Sequence, residues 1–287
     1  MALVPAPTDQ RAANLAWWEG VAGVHRRASS GYYDPSPVLR GDSSLGAPEE
    51  QALAWAAPHG VAGLDILHLQ CHLGLDALTF IRRGARVTGV DFSPTALQGA
   101  ADLADRCGLT LELVRADAIA LPAELSGRFD LVWATIGVLT WHADLKPWMR
   151  SAAMALRPGG RLVIVDLHPL YCMPDTLTPL SVDFPYGFDG PRAYDESGTY
   201  SDSEAALPTT VSVSYAHSIG ETVNAAISAG LRIEKLDELL EADFDPRGNL
   251  LTREADGRYR WRLGTGPASA PSPPLPVLFS LIARREG

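Results

Sequence analysis

Asp91, His168, His217 and the loop Gln70-Cys71-His72-Leu73-Gly74 are the residues of this chain whose types and spacing could do chemistry. The loop follows a short apolar run, Leu64, Ile66, Leu67 and Leu69, of the kind expected for a strand buried on both faces. A helix-periodic segment, Leu75 to Ile81, comes next, then a second strand-like run, Arg86 to Val90. Asp91 closes that run 17 residues after Gly74. A carboxylate there can accept hydrogen bonds from both hydroxyls of a ribose. His168 follows Asp166 at the carboxyl end of a later strand, where ligands bind in open α/β sheets. His217 comes two residues after Tyr215. His168 is the first candidate for a general base and His217 the second.

The loop chemistry discriminates between nucleoside ligands. A pyrophosphate needs close backbone approach through several glycines and bare N–H groups at a helix start. Here only Gly74 remains, and Asp76 puts a negative charge in the first helical turn. Asp76 would repel a pyrophosphate, whereas a ligand with an ammonium and a sulfonium would be tolerated. Asp76 could equally serve only to complement the helix dipole. The residues therefore favour S-adenosylmethionine over a dinucleotide.

The segment LDILHLQCHLGLDALTFIRRGARVTGVDFSPTAL (64–97) resembles motifs I and II of class I S-adenosylmethionine-dependent methyltransferases. It departs from their usual Asp-x-Gly-x-Gly-x-Gly through His68, Gln70 and His72, and in this is similar to a small-molecule subgroup carrying Leu-His-Leu-Gln-Cys-His-x-Gly-x-Asp. The resemblance continues through FDLVWATIGVLTWHADLKPW (129–148), LRPGGRLVIVDLHP (156–169) and later segments, and covers nearly the whole chain. It implies that Asp91 accepts from the ribose and that Phe92 lies against the adenine. It implies that Asp117 and Ala118 read the adenine edge and that Thr135 and Ile136 offer carbonyls to the methionine ammonium. Gln70, Cys71, His72 and Gly74 would line the methionine and ribose, and Tyr33 would reach the methionine carboxylate. Tyr32, Trp141, Tyr186, Phe188 and Tyr215 are the candidates on the acceptor side. His68, inside the first strand, reads as a core histidine or as one that orients the loop.

Strands and helices that alternate from Leu64 to Leu167 predict an α/β fold with a doubly wound, mostly parallel sheet. The resemblance makes it seven-stranded, with an N-terminal helical segment and an insertion after the fifth strand. The expected organisation is an N-terminal helical cap (1–60), a core (61–169 and 216–287) and a substrate lid (170–215). The lid segment has no helical period but is rich in aromatics, including Phe184, Tyr186, Phe188, Tyr194 and Tyr200, which speaks against disorder. A Pro/Gly-rich loop is expected between the last two strands.

Composition excludes several functions. With 46% hydrophobic residues the chain can bury a sizeable core, and its net charge of −10 disfavours nucleic acid or an anionic membrane as partner. No run reaches the ~18 apolar residues of a membrane span. Cys71, Cys107 and Cys172 lack metal-ligand spacing, so no metal is expected, and they suit a reduced cytoplasm. MALVPAPTDQ lacks the pattern of a signal peptide. The expected function is methyl transfer to the O, N or C atom of a small, apolar or aromatic metabolite, plausibly in specialised metabolism. The partner is then that small molecule, with self-association left open. Two other classes are compatible with the pattern: a protein of this fold that uses S-adenosylmethionine structurally, for example in a cyclisation, and more remotely an NAD(P)-linked oxidoreductase.

Overall fold

The computed structural model describes every residue except Met1 and residues 30–32, 178–179, 200, 203, 246–247, 249 and 262–274. Tyr32 and Tyr200 therefore lie outside the described residues. At its centre is a seven-stranded sheet: β1 (Asp65–Leu69), β2 (Arg86–Asp91), β3 (Glu112–Arg115), β4 (Phe129–Thr135), β5 (Leu156–Leu167), β6 (Leu231–Leu239) and β7 (Leu278–Arg285). The spatial order is β6-β7-β5-β4-β1-β2-β3. Pairings from β3 across to β5 are parallel, while β7 runs antiparallel to both β5 and β6. The expected doubly wound, mostly parallel sheet is thus present.

The central strands form because their residues can be buried on both sides. Ile66, Leu67 and Leu69 of β1 and Val163, Ile164 and Val165 of β5 are fully buried. One face packs Trp148, Met149 and Leu156 with Leu67 and Val132, and the other packs Trp133, Phe80 and Ile66. Ser93 caps the helix Pro94–Cys107, its side chain accepting from Ala96 N at 3.0 Å. Asp9 does the same for the N-terminal helix Gln10–His25.

Two stretches hold regular structure that their patterns do not announce. Within 170–215, strands Arg192–Asp195 and Val211–Ser214 join Ala2–Val4 in a three-stranded antiparallel sheet. That sheet ties the chain start to the segment expected as a separate lid. The connection from β6 to β7 is not a plain loop either, since Leu251–Arg253 pairs with Tyr259–Trp261 as a hairpin. Both signals were hidden by short strands whose partners lie far away or across a polar turn.

Candidate functional site

A cavity of about 970 Å³ runs along the carboxyl ends of the strands. Its wall includes Tyr33, Gln70, Cys71, His72, Gly74, Asp91, Phe92, Asp117, Ala118, Thr135 and Ile136, so the sequence-predicted cofactor residues converge on one space. Switch-point geometry explains this: β1 and β4 are neighbours whose connections leave in opposite directions, which opens a crevice above them.

The loop after β1 is held in an uncommon backbone shape. Gln70 and His72 adopt φ of 59° and 47°, and Gly74 adopts 71°. Left-handed conformations cost non-glycine residues free energy, so surrounding bonds must impose them. Gln70 Oε1 accepts from Trp148 Nε1 at 2.7 Å and from His142 Nε2 at 3.0 Å. His72 N donates to Asp91 Oδ2 at 2.9 Å, and Ser93 N donates to Asp91 Oδ1 at 2.9 Å. Asp91 is thus buried and oriented by two backbone donors. Burial nevertheless pushes its carboxyl up to about 6, the donors only partly offsetting it.

Several wall residues make contacts that the sequence did not foretell. Asp76 Oδ2 accepts from Trp133 Nε1 (3.0 Å) and Thr135 Oγ1 (2.8 Å), and Oδ1 from Ser44 Oγ (2.8 Å). It therefore orients the end of β4 rather than only complementing a dipole. His68 is buried on the cavity wall, and its Nδ1 has no hydrogen-bond partner among the described residues. A bound polar group could satisfy it. His25 Nδ1 lies 2.8 Å from His72 Nε2, and its ring stacks on Tyr33 at 3.9 Å. Burial pushes His25 down to about 2 and His72 to about 3, so both rings are neutral. Arg11, on the N-terminal helix, pairs with Asp117 across the cavity mouth. Arg11, Trp18 and His142 carried no spacing signal, because they reach the site only through folding.

A second cavity, about 290 Å³, adjoins the first; Gly137, Thr140, Trp141 and Leu167 belong to both walls. Trp141 and Tyr215, two acceptor-side candidates, line it. Tyr186 and Phe188 line neither cavity and are exposed, Phe188 stacking behind Tyr215 and His217 instead. Phe184 stands in the wall in their place. The alternation of aromatics in that stretch could not say which rings turn inward.

The two candidate bases differ in geometry. His168 Nδ1 accepts from Leu170 N at 3.1 Å, capping the short helix Pro169–Cys172, so Nε2 carries the proton and faces Glu238 Oε1 at 2.8 Å. Both nitrogens are engaged, and His168 lines neither cavity. The expected base at His168 is thus not among the residues that face either cavity. Asp166 does not orient it either: its carboxylate accepts from Gly137, Leu139 and Leu167 backbone N–H groups and fixes the turn between the cavities. His217 lines the second cavity, and its Nε2 lies 2.7 Å from the His142 carbonyl oxygen. A carbonyl only accepts, so Nε2 carries the proton and Nδ1 keeps its lone pair. Burial lowers the His217 pKa, which keeps the ring neutral.

Residues 66–160 match the family described as "Methyltransferase domain". A ubiquinone biosynthesis O-methyltransferase of Methylobacterium sp. (strain 4-46) is 36% identical over 103 residues, 36% of this chain and 41% of that one. The chain spans less than half the length of the curated relatives it matches first. A solved S-adenosylmethionine-dependent methyltransferase from Mesorhizobium loti superposes with a TM-score of 0.55 at 26% identity, covering 84% of this chain and 99% of that one. The 1,6-didemethyltoxoflavin-N1-methyltransferase of Burkholderia thailandensis, solved with bound 1,6-didemethyltoxoflavin and S-adenosylhomocysteine, has a TM-score of 0.50 at 18% identity, covering 100% of this chain and 95% of that one. The last likeness is one of fold.

Proposed function

We propose that this chain, whose residues 66–160 match the methyltransferase-domain family, is an S-adenosylmethionine-dependent methyltransferase acting on a small apolar or aromatic molecule. The observation that carries the reading is the join between the two cavities at Gly137, Thr140, Trp141 and Leu167. A space with Asp91 in its wall there meets a second space lined by His217, whose Nδ1 has no hydrogen-bond partner among the described residues.

The residues present fit the cofactor. Asp91 is a buried acceptor for two ribose hydroxyls, and Phe92 offers a ring to the adenine. Asp76 stands beside the helix start, which suits a ligand bearing cationic groups and opposes a pyrophosphate. Gln70, Cys71, His72, Gly74, Thr135, Ile136 and Tyr33 would hold the methionine and ribose portions, and Asp117 with Ala118 the adenine edge. When bound, the cofactor supplies an electrophilic methyl group on a sulfonium.

The protein's share is positioning and proton removal. Asp166 and Gln70 hold the 137–142 turn that borders both partners, so proximity is built in before binding. The aromatic wall of Trp141, Phe184 and Tyr215 excludes water. His217 Nδ1 accepts the proton of a hydroxyl or N–H acceptor as it is methylated. The stretch 170–215 acts as the wall of the acceptor space. Among the described residues no helix is long and apolar enough to cross a membrane. We take the enzyme to work in the cytoplasm on a specialised metabolite.

Isothermal titration with S-adenosylmethionine, S-adenosylhomocysteine, NAD and NADP tests the reading. The two adenosyl compounds should bind and the dinucleotides should not. Tighter binding of either dinucleotide refutes it.

A further inference from the structure

The two cavities meet at an aromatic corner. Trp141 lines both of them, at the join it shares with Gly137, Thr140 and Leu167, and Trp18 of the N-terminal helix lines the first. The two indoles meet almost at right angles, with centroids 5.2 Å apart and planes at 79°. Trp17 stacks on Trp141 at 5.5 Å and 28°, and Trp18 also meets the His72 ring at 5.4 Å and 68°. Trp17 is buried, whereas Trp18 and Trp141 are half-buried and keep ring surface for the cavity walls.

Neighbouring elements hold the corner in shape. Consecutive helix residues point about 100° apart, so Trp17 and Trp18 reach Trp141 from two directions. Their helix is tied down through Asn14, whose side chain donates to the Val213 carbonyl and accepts from Val213 N, both at 2.8 Å. Trp141 stands in the short turn Leu139–Trp141. There Tyr215 N donates to the Thr140 carbonyl at 2.8 Å, and Thr140 Oγ1 donates to the Tyr215 carbonyl at 3.1 Å. Rings fixed in advance lose little conformational entropy when a ligand arrives.

Position along the crevice says what the corner meets. Asp91 ends β2 and Asp117 follows β3, on one side of the sheet centre, while the join lies beyond β4 and the end of β5. A methyl group that passes from the first cavity into the second has to cross that join. The imidazoles nearby do not oppose a cation, since burial pushes His72 down to about 3 and His25 to about 2.

We propose that Trp18 and Trp141 form an aromatic corner that recognises the sulfonium charge of the cofactor and so separates it from its neutral thioether product. The inference rests on the methyltransferase reading above. Indole faces are electron-rich and attract onium groups, more strongly where water is excluded. The ammonium, carboxylate and adenosine are common to cofactor and product, so only the methyl group and the charge on sulfur tell them apart. As the acceptor's lone pair takes the methyl carbon, the electron pair of the broken C–S bond stays on sulfur. The thioether left behind is neutral and has lost that attraction.

The test is calorimetry on the full chain without acceptor, using three probes. They are S-adenosylmethionine, sinefungin, which carries an ammonium in place of the methylated sulfonium, and neutral S-adenosylhomocysteine. Trp141→Leu and Trp18→Leu keep apolar volume but lose the π face. Each should weaken the two cationic probes by about tenfold and leave S-adenosylhomocysteine within about twofold. Trp141→Phe restores a ring face and should hold all three probes within about threefold of the unaltered chain. S-adenosylhomocysteine binding reports that a variant is folded, and Trp18→Leu decides if Trp141→Leu is not. Equal weakening of all three probes, or cationic probes unaffected in both leucine variants, overturns the proposal. A loss in Trp141→Phe as large as in Trp141→Leu overturns it as well. Failure of S-adenosylhomocysteine to bind the unaltered chain overturns the methyltransferase reading and this inference with it.

Discussion

Lowering the pH should weaken cofactor binding through one carboxylate. Asp91 is buried, and its carboxyl is pushed up to about 6, with Glu19 nearby adding to the effect of burial. Ribose hydroxyls donate well only to the ionised form, so binding favours deprotonation and expels the proton below that pH. Affinity for S-adenosylhomocysteine should therefore rise with pH up to about 6 and level off above it. One unit below, at pH 5, about a tenth of the carboxylate is ionised, which costs about 1.4 kcal/mol, or tenfold in Kd. The wall histidines do not confuse the window, because burial holds His72 at about 3 and His142 at about 4 and lowers His68 as well. Glu49, pushed up to about 7, is off the cavity wall. Asp91→Asn should bind about 1.5–3 kcal/mol more weakly at pH 7, the range for a lost charged hydrogen bond, and its pH profile should be flat. Calorimetry from pH 5 to 8 on both proteins reads this directly. A flat wild-type profile, or a slope that persists in Asp91→Asn, would refute the reasoning. The unliganded fold responds oppositely: between about pH 4 and 6 the native state holds the extra proton, so its stability falls as pH rises.

Other perturbations separate the roles of individual side chains. With an acceptor that loses a proton, His217→Ala should lower kcat by roughly 10²–10⁴-fold and spare S-adenosylhomocysteine affinity. His168→Ala should keep kcat but lose about 1–2 kcal/mol of stability with its helix cap, and the reverse pattern would restore His168 as the base. Trp148→Ala removes a fully buried ring and the Nε1 donor to Gln70, so chemical denaturation should show a loss of about 3–5 kcal/mol together with weakened cofactor binding; a loss well under 1 kcal/mol would mean that the loop is held otherwise. A Cβ at Gly89 would stand 2.9 Å from Cys71 Sγ and 3.0 Å from Leu113. Gly89→Ala should therefore cost about 1–3 kcal/mol and disturb the loop after β1, and an unchanged midpoint would show that the strands yield freely.

Local chemistry made the core legible. Burial on both faces leaves β1, β4 and β5 as apolar runs, and a cap such as Ser93-Pro94 marks where a helix starts, so the alternation of strand and helix can be read along the chain. Helix Pro94–Cys107 starts at the Ser93-Pro94 cap, and strand β1 coincides with the apolar run Leu64 to Leu69. The cofactor candidates cluster for the same reason: they follow strand ends, and the sheet brings strand ends together.

What tertiary structure alone decided are the interactions between residues far apart in the chain. Nothing in Ala2–Val4 announces that it pairs with Arg192–Asp195, because three residues carry too little pattern to name a partner. His168 and His217 look alike in sequence, yet one lies under a helix cap with both nitrogens engaged and the other opens onto a cavity. Which of Phe184, Tyr186 and Phe188 faces inward depends on bonds to other elements, Phe184 N donating to the Met173 carbonyl and Phe188 N to the Glu221 carboxylate. Phe244 and Tyr259 join the wall of the first cavity only because β6 and β7 bring a distant connection to the end of β5. Periodicity reports which side of an element is buried; what lies across from that side is set by packing between elements.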